Sequence, residues 1–339
     1  MQSNVLKLIM HKVLVIILLL SGIIDVSFAE ICTHKEAAIL IENDSALTLG
    51  GGTDRFYSNG FEALFKCKTD PNHEATESNL AYRTIRWFNK DANFVNVNKG
   101  IKLGQKIYTS SDLTLTPDEI DIDRDRPYAG WTYASLFYEA ETIKDTFLRH
   151  ELSIGCVGPC SQAENTQTEW HELFGFTRPE GWDLQIENQL ALQYFLEYTT
   201  DRYEVFPHIS LHPRFKASLG TVFTDLSFGG EFIVGDESNK EEYANLDNYK
   251  KWEWQLFLHN DIKLVGYNGT LEGSLFNDDS PHTVDPSRIV LENGIGVRLN
   301  YNNQFLFEYR FIGRSTEHEE QDWKFWDHKY GSFEFGFGF

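Results

Sequence analysis

The chain is short of basic residues. Against 51 Asp and Glu stand only 30 Lys and Arg in 339 residues, a formal net charge of -21. Nucleic-acid partners need a basic face, so that class is set aside. Beyond residue 29 no apolar run is long enough for a membrane helix. A chain of this kind crosses a membrane with strands or not at all. There is no Gly-x-Ser-x-Gly elbow, no His-Glu-x-x-His and no zinc-spaced Cys/His set, so the common serine-hydrolase and zinc signatures are missing. No sequence repeat or low-complexity linker stands out. Cysteine is scarce too, and the four present suit two disulfides in an exported chain.

Export is what the first residues predict. Lys7, His11 and Lys12 form a basic start, Val13 to Ile24 an apolar run, and Ser27-Phe28-Ala29 a small-residue exit. This is the three-part pattern of a secretory signal, with residues 1–29 removed and cleavage before Glu30. Residues 30–339 are left as a single domain.

Aromatic residues make up 14% of the chain, and they alternate. Phe333, Phe335, Phe337 and Phe339 occupy every second position up to the C-terminus, with Glu334 and glycines between. Period two places the rings on one face of a strand. A soluble sandwich would bury that face and seldom end on it, whereas an outer-membrane barrel turns it to lipid and keeps Glu334 in the lumen. Phe305, Phe307, Tyr309 and Phe311 alternate with Leu306, Glu308 and Arg310 in the same way, as do Val205, Ile209 and Leu211 with His208, Ser210 and His212. The fold class expected is all-β, a transmembrane antiparallel β-barrel of the bacterial outer-membrane type.

Twelve strands are predicted, near 36–43, 56–66, 101–108, 129–141, 147–156, 184–200, 203–213, 219–234, 251–265, 285–299, 304–315 and 330–339. With both termini in the periplasm, the outer links are 44–55, 109–128, 157–183, 214–218, 266–284 and 316–329. Two inner links, 67–100 and 235–250, are longer than periplasmic turns usually are. Cys32 before the first strand and Cys67 after the second meet on the inner side of an antiparallel pair. Cys156 and Cys160 flank a short outer segment, so a second disulfide is expected there.

The polar residues fall on one rim. Asn43 and Asp44 end the first strand, Ser58 opens the second, and His171 lies in the long outer link 157–183. An imidazole, a carboxylate, an amide and a hydroxyl at a membrane surface are the groups needed to activate water against an ester. Each has a plainer role available. Asn43-Asp44 suits an Asx turn, Ser58 a rim hydroxyl, and His171 a loop histidine packed by Trp170 and Phe174. Asp125, Arg126, Pro127, Tyr128 and Gly130 read as rim architecture. Arg55, Arg124, Arg126 and Arg178 suit lipid phosphates or plain solvation.

Five stretches carry a resemblance: ENDSALTLGGGTDRFYSNG, QKIYTSSDL, DRDRPYAGW, GCVGPCSQAENTQTEWHELFGFTRPEGWDLQIENQ and KYGSFEFGFGF. In that order, from Ile39 to the last residue, they resemble the outer-membrane lipid A 3'-O-deacylase family. The resemblance implies a twelve-stranded barrel in the bacterial outer membrane, inserted by the barrel-assembly machinery. It also implies a site between lumen and outer leaflet that removes the 3'-linked acyloxyacyl group of lipid A in lipopolysaccharide, with calcium as cofactor. Position by position, the family's Asn-Asp pair falls on Asn43 and Asp44, its rim Thr on Ser58, and its catalytic histidine on His171. On that reading His171 is the general base and Asp44 the metal ligand; by the logic of triads Asn43 orients the imidazole through its amide oxygen, and Ser58 helps hold the oxyanion or the metal-bound substrate. Two positions depart from the pattern. The glutamate that some members carry six residues after the histidine is Thr177, with Glu172, Glu180 or Asp183 as substitutes. The lysine before the DRPYAGW motif has no counterpart in Thr109 to Glu119. The rival reading is a catalytically inactive barrel of the same fold that binds or passes small solutes.

Overall fold

The computed structural model describes residues 32–45, 47–48, 55–70, 74–236, 252–276, 279–302 and 304–339. The expected signal segment 1–29 and nearly all of the inner link 235–250 lie outside the described residues. The strands are β1 (His34–Asn43), β2 (Phe56–Thr69), β3 (Phe94–Thr109), β4 (Ala129–Thr142), β5 (Phe147–Val157) and β6 (Gln189–Thr199). They continue as β7 (Tyr203–Phe206), β8 (Ile209–Gly220), β9 (Phe223–Gly235), β10 (Trp252–Asn268), β11 (Ile289–Tyr301), β12 (Phe305–Arg314) and β13 (His328–Gly338). Each pairs antiparallel with its neighbours, β13 returns to β1, and β6 reaches past β7 to β8. The result is a closed 12-stranded barrel. The short β7 runs along the first residues of β8, below the point where β6 takes over that edge.

Two expected boundaries are corrected here. The pattern 203–213 is not one strand, because the chain reverses after β7, with His208 in the left-handed region (φ 63°). Alternation continues across the reversal, so periodicity alone does not reveal it. The outer link placed at 214–218 belongs to β8, and the turn is at Thr221-Val222 instead. Thr221 fixes it there: its hydroxyl donates to the Leu190 carbonyl (2.8 Å) and accepts the Leu192 amide (2.9 Å). The inner link 67–100 is shorter than expected, since β2 and β3 both run into it. Its remainder holds a 3-10 turn (Glu74–Ser78) and the helix α1 (Leu80–Phe88), which starts where the Asn79 side chain accepts the Tyr82 amide (3.1 Å). Both disulfides form as expected, Cys32–Cys67 on the inner side and Cys156–Cys160 on the outer.

Alternation divides every strand into two environments. Leu136 and Leu152 face each other across β4 and β5 and are 53% and 54% exposed, part of the apolar belt turned to lipid. The intervening residues face a lumen braced by ion pairs. Lys102 bridges Glu151 (2.8 Å) and Glu62 (3.4 Å), Arg149 meets Glu151 (2.8 Å), Arg214 meets Asp261 (2.6 Å) and Arg298 meets Glu308 (2.5 Å). Buried charge is tolerated in such a place only when paired, and here cations and carboxylates interleave around the wall. Two further helices sit in the outer links, α2 (Ala163–Phe174) and the single turn α3 (Gly269–Glu272).

Candidate active site

The outer end of β1 is closed by its own side chains. Asn43 Oδ1 accepts the Ser45 amide (2.9 Å), which is the Asx turn expected of this residue, and Asn43 Nδ2 donates to the Ser58 carbonyl (3.0 Å). The Asp44 amide reaches the same carbonyl (3.3 Å). Asp44 is fully buried, and its Oδ2 accepts the Arg55 amide (2.6 Å). Opposite, β2 carries a bulge between Tyr57 and Asn59, which lifts Ser58 out of strict alternation. Ser58 Oγ then lies 2.5 Å from Thr109 Oγ1 at the end of β3. Asn43, Asp44 and Ser58 are thus gathered in one hydrogen-bonded group, with Thr109, from the QKIYTSSDL stretch, as a fourth member to which the sequence assigned no role. The loop after Asp44 is tied across the barrel seam, where Tyr309 donates its hydroxyl to the Leu47 carbonyl (2.7 Å).

His171 comes from α2. That helix lies against the wall because residue 130 has no side chain: a Cβ on Gly130 would stand 2.1 Å from Ser161 Oγ and 2.2 Å from Ala163 Cβ. One turn before His171, Gln167 accepts the Trp182 indole N–H (3.1 Å), and Trp182 packs on Tyr128 with ring centres 5.0 Å apart. Ser110, next to Thr109, reaches the Tyr128 hydroxyl (3.5 Å). The rim group and the helix are therefore joined by a relay of packed side chains on the same end of the barrel.

α2 ends at Gly175 in the left-handed region, and the chain doubles back so that the Phe176 amide donates to the His171 carbonyl (2.9 Å). This return brings the Thr177 carbonyl onto His171 Nδ1. A carbonyl only accepts, so Nδ1 carries the proton in this contact, and in the neutral ring the lone pair lies on Nε2. His171 itself is 4% exposed, while Trp170, Leu173, Phe174 and Phe176 around it are open to the surroundings. The arrangement is a buried imidazole under an apolar apron.

A second polar assembly ties the outer links together. Asp125 accepts the Ser111 amide (3.0 Å) and hydroxyl (2.8 Å). Arg126 is 1% exposed; it donates to Thr270 Oγ1 (2.6 Å), pairs with Glu317 (3.4 Å) and lies 4.4 Å over the Tyr108 ring. His282 donates from Nε2 to the Asp125 carbonyl (2.8 Å). Burial lowers the pKa of both His282 and His318. Burial alone would raise Glu317, but Arg314 and Arg126 more than reverse this and hold it ionised. Arg126 is thus committed to the fold, as its motif suggested, and does not face a lipid phosphate. Arg55 donates to the Asp327 carbonyl (2.9 Å) and lies over Phe56, whereas Arg178 meets Glu172 at 3.8 Å with both side chains 63% exposed.

The donors fit calcium poorly. Calcium takes six to eight oxygens with several carboxylates among them. Asp44 offers one carboxylate, already engaged at Oδ2, and the substitutes Glu172, Glu180 and Asp183 are exposed. Among the described residues no group of three or more His, Cys, Asp and Glu is placed to hold a metal.

The family model of outer membrane protein LpxR matches residues 14–339. Among solved structures, LpxR from Salmonella typhimurium superposes with a TM-score of 0.64 at 19% identity, covering 89% of this chain and 99% of that one. The β-domain of the Bordetella autotransporter BrkA aligns with a TM-score of 0.45 at 9% identity over 90% of this chain and 98% of its own. No curated protein matches the chain. The family match spans nearly the whole chain and the barrel agrees with it, so this protein is an outer-membrane β-barrel that belongs to the LpxR family.

Proposed function

We propose that the protein is an esterase that hydrolyses the 3'-linked acyloxyacyl chain of lipid A in the outer leaflet, with His171 as general base. The single observation that carries this reading is the Nδ1 contact of a buried His171 with the Thr177 carbonyl beneath an apolar apron. It leaves Nε2 as the basic atom, in surroundings suited to acyl chains. Nε2 takes a proton from water, and the hydroxide adds to the ester carbonyl. Asn43 and Ser58 donate to the oxyanion that forms. Collapse expels the sugar 3-oxygen, which receives the proton from His171, and frees the acyloxyacyl acid. In this scheme the Thr177 carbonyl does the orienting that triad logic assigns to Asn43. No step runs through a metal.

The test is mass spectrometry of lipid A from cells expressing the protein or His171→Ala at equal levels. General-base loss typically costs about 10²- to 10⁴-fold. Undiminished release of the 3' acyl product by a folded His171→Ala barrel overturns the assignment.

A further inference from the structure

The helix α1 lies on the wrong wall for a plug. Its buried residues Ala81 and Ile85 pack with Ala92, Ala140 and Leu148, and against Tyr138 and Leu196. In β4 and β5, Ala140 pairs with Leu148 and Tyr138 with His150, and the next pair of the same parity is Leu136 with Leu152. That last pair belongs to the lipid belt. The lumen residues at this height, Glu139 and Arg149, point to the other face and meet each other at 3.1 Å. α1 therefore covers the outside of the barrel, one step of about 7 Å inward of the exposed leucines. Thr84 Oγ1 to His150 Nε2 (3.3 Å) and His150 Nδ1 to the Tyr194 hydroxyl (2.5 Å) supply polar contacts at the boundary.

What the barrel leaves uncovered on α1 is not the surface of a water-facing helix. Trp87 and Phe88 are 77% and 78% exposed, with ring centres 4.7 Å apart, and Leu80 is open as well. The helix carries no acidic residue; its charges are Arg83 and Arg86, with Lys90 and Asp91 just after it, in a chain whose net charge is -21. Exposed Trp252, Phe305 and Phe339 lie at the inner ends of β10, β12 and β13, so an aromatic girdle marks this level around the barrel.

We propose that α1 is an interfacial anchor lying in the headgroup layer of the inner, phospholipid leaflet. Trp87 and Phe88 enter the acyl boundary, where an aromatic ring with one wet edge is favoured, and Arg83 and Lys90 meet lipid phosphates. The continuity of the covered strand positions with the lipid belt favours this occupant over a soluble protein or a second copy.

The whole protein is reconstituted into phosphatidylethanolamine–phosphatidylglycerol vesicles, and Trp87 emission is taken as the difference between wild type and Trp87→Phe. Lipids brominated near the headgroup end of the chain are expected to quench that difference signal strongly. An aqueous quencher added to both sides of the membrane should leave it largely unchanged. Arg83→Glu, at an exposed position, should reduce the quenching in anionic vesicles while heat-modifiable migration stays normal. Equal access of the aqueous quencher to Trp87 and to free tryptophan overturns the proposal. So does protection from both quenchers, which would mean that protein covers the helix.

Discussion

Gly130 gives a sharp test of how the histidine is positioned, because it touches neither the proposed base nor the rim group. In Gly130→Ala the new methyl would stand 2.2 Å from Ala163 Cβ and 2.1 Å from Ser161 Oγ. Carbon atoms settle at about 3.5–4.0 Å, so the start of α2 must retreat by roughly 1.3–1.8 Å if the barrel wall holds. The wall should hold, since Gly130 pairs in register with Ile107 of β3 and its carbonyl accepts the Gly158 amide (2.9 Å). A misplacement of about 1 Å in a catalytic array can cost about 10²-fold in rate. Lipid A deacylation, read by mass spectrometry at matched expression, is expected to fall on that scale while heat-modifiable migration persists. Ala163→Gly in the same chain removes one of the two clashing atoms and should restore part of the rate. A Gly130→Ala barrel that deacylates at the wild-type rate refutes the idea that wall contact sets the position of His171.

Arg126→Met leaves Glu317 paired with Arg314 (3.6 Å), so the loss is expected near the lower end of the roughly 3–5 kcal/mol typical of a broken buried pair. Glu317→Gln in that background should recover part of it, and heat-modifiable unfolding temperature is the measurement. His282 and His318 have folded pKa values lowered by burial, so their neutral forms belong to the folded links. As pH falls below about 6.5, unfolded links bind protons more readily than folded ones and stability declines; proteolysis of the outer links should therefore accelerate in mild acid, and a flat profile would remove these histidines from the account. For calcium, chelator titration should show a weak or absent requirement, with Thr177→Glu raising the response and Asp44→Asn abolishing whatever response exists. Full loss of activity in chelator, restored by added calcium, would show that the reaction depends on the ion after all.

Period two made the barrel legible, because lipid and lumen impose opposite chemistry on successive residues, as Phe335 and Glu334 show. It could not separate β7 from β8, since a reversal at His208 leaves the alternation intact. The rim residues Asn43, Asp44 and Ser58 were legible as a polar interruption of strand pattern, and the structure gathers them. Thr109 was not, because its role depends on a bulge in the neighbouring strand. The orientation of His171 was hidden for a different reason: its partner is a backbone carbonyl, and no residue type at position 177 announces one. The Arg126–Thr270–Glu317 assembly joins three separate links, and long-range pairing of that kind leaves no local signature.

The seam between β1 and β13 has a temporal meaning. Asn43 is the last residue of the first strand, and its register partner Gly331 belongs to β13, the strand that closes the barrel. The tie from Tyr309 to Leu47 likewise depends on the final hairpin being in place. The rim therefore takes its finished shape only once β1 and β13 have met and the barrel has closed. On the proposed reading of the site, an unclosed chain would carry the rim residues without the geometry that gathers them, and the activity would wait for closure.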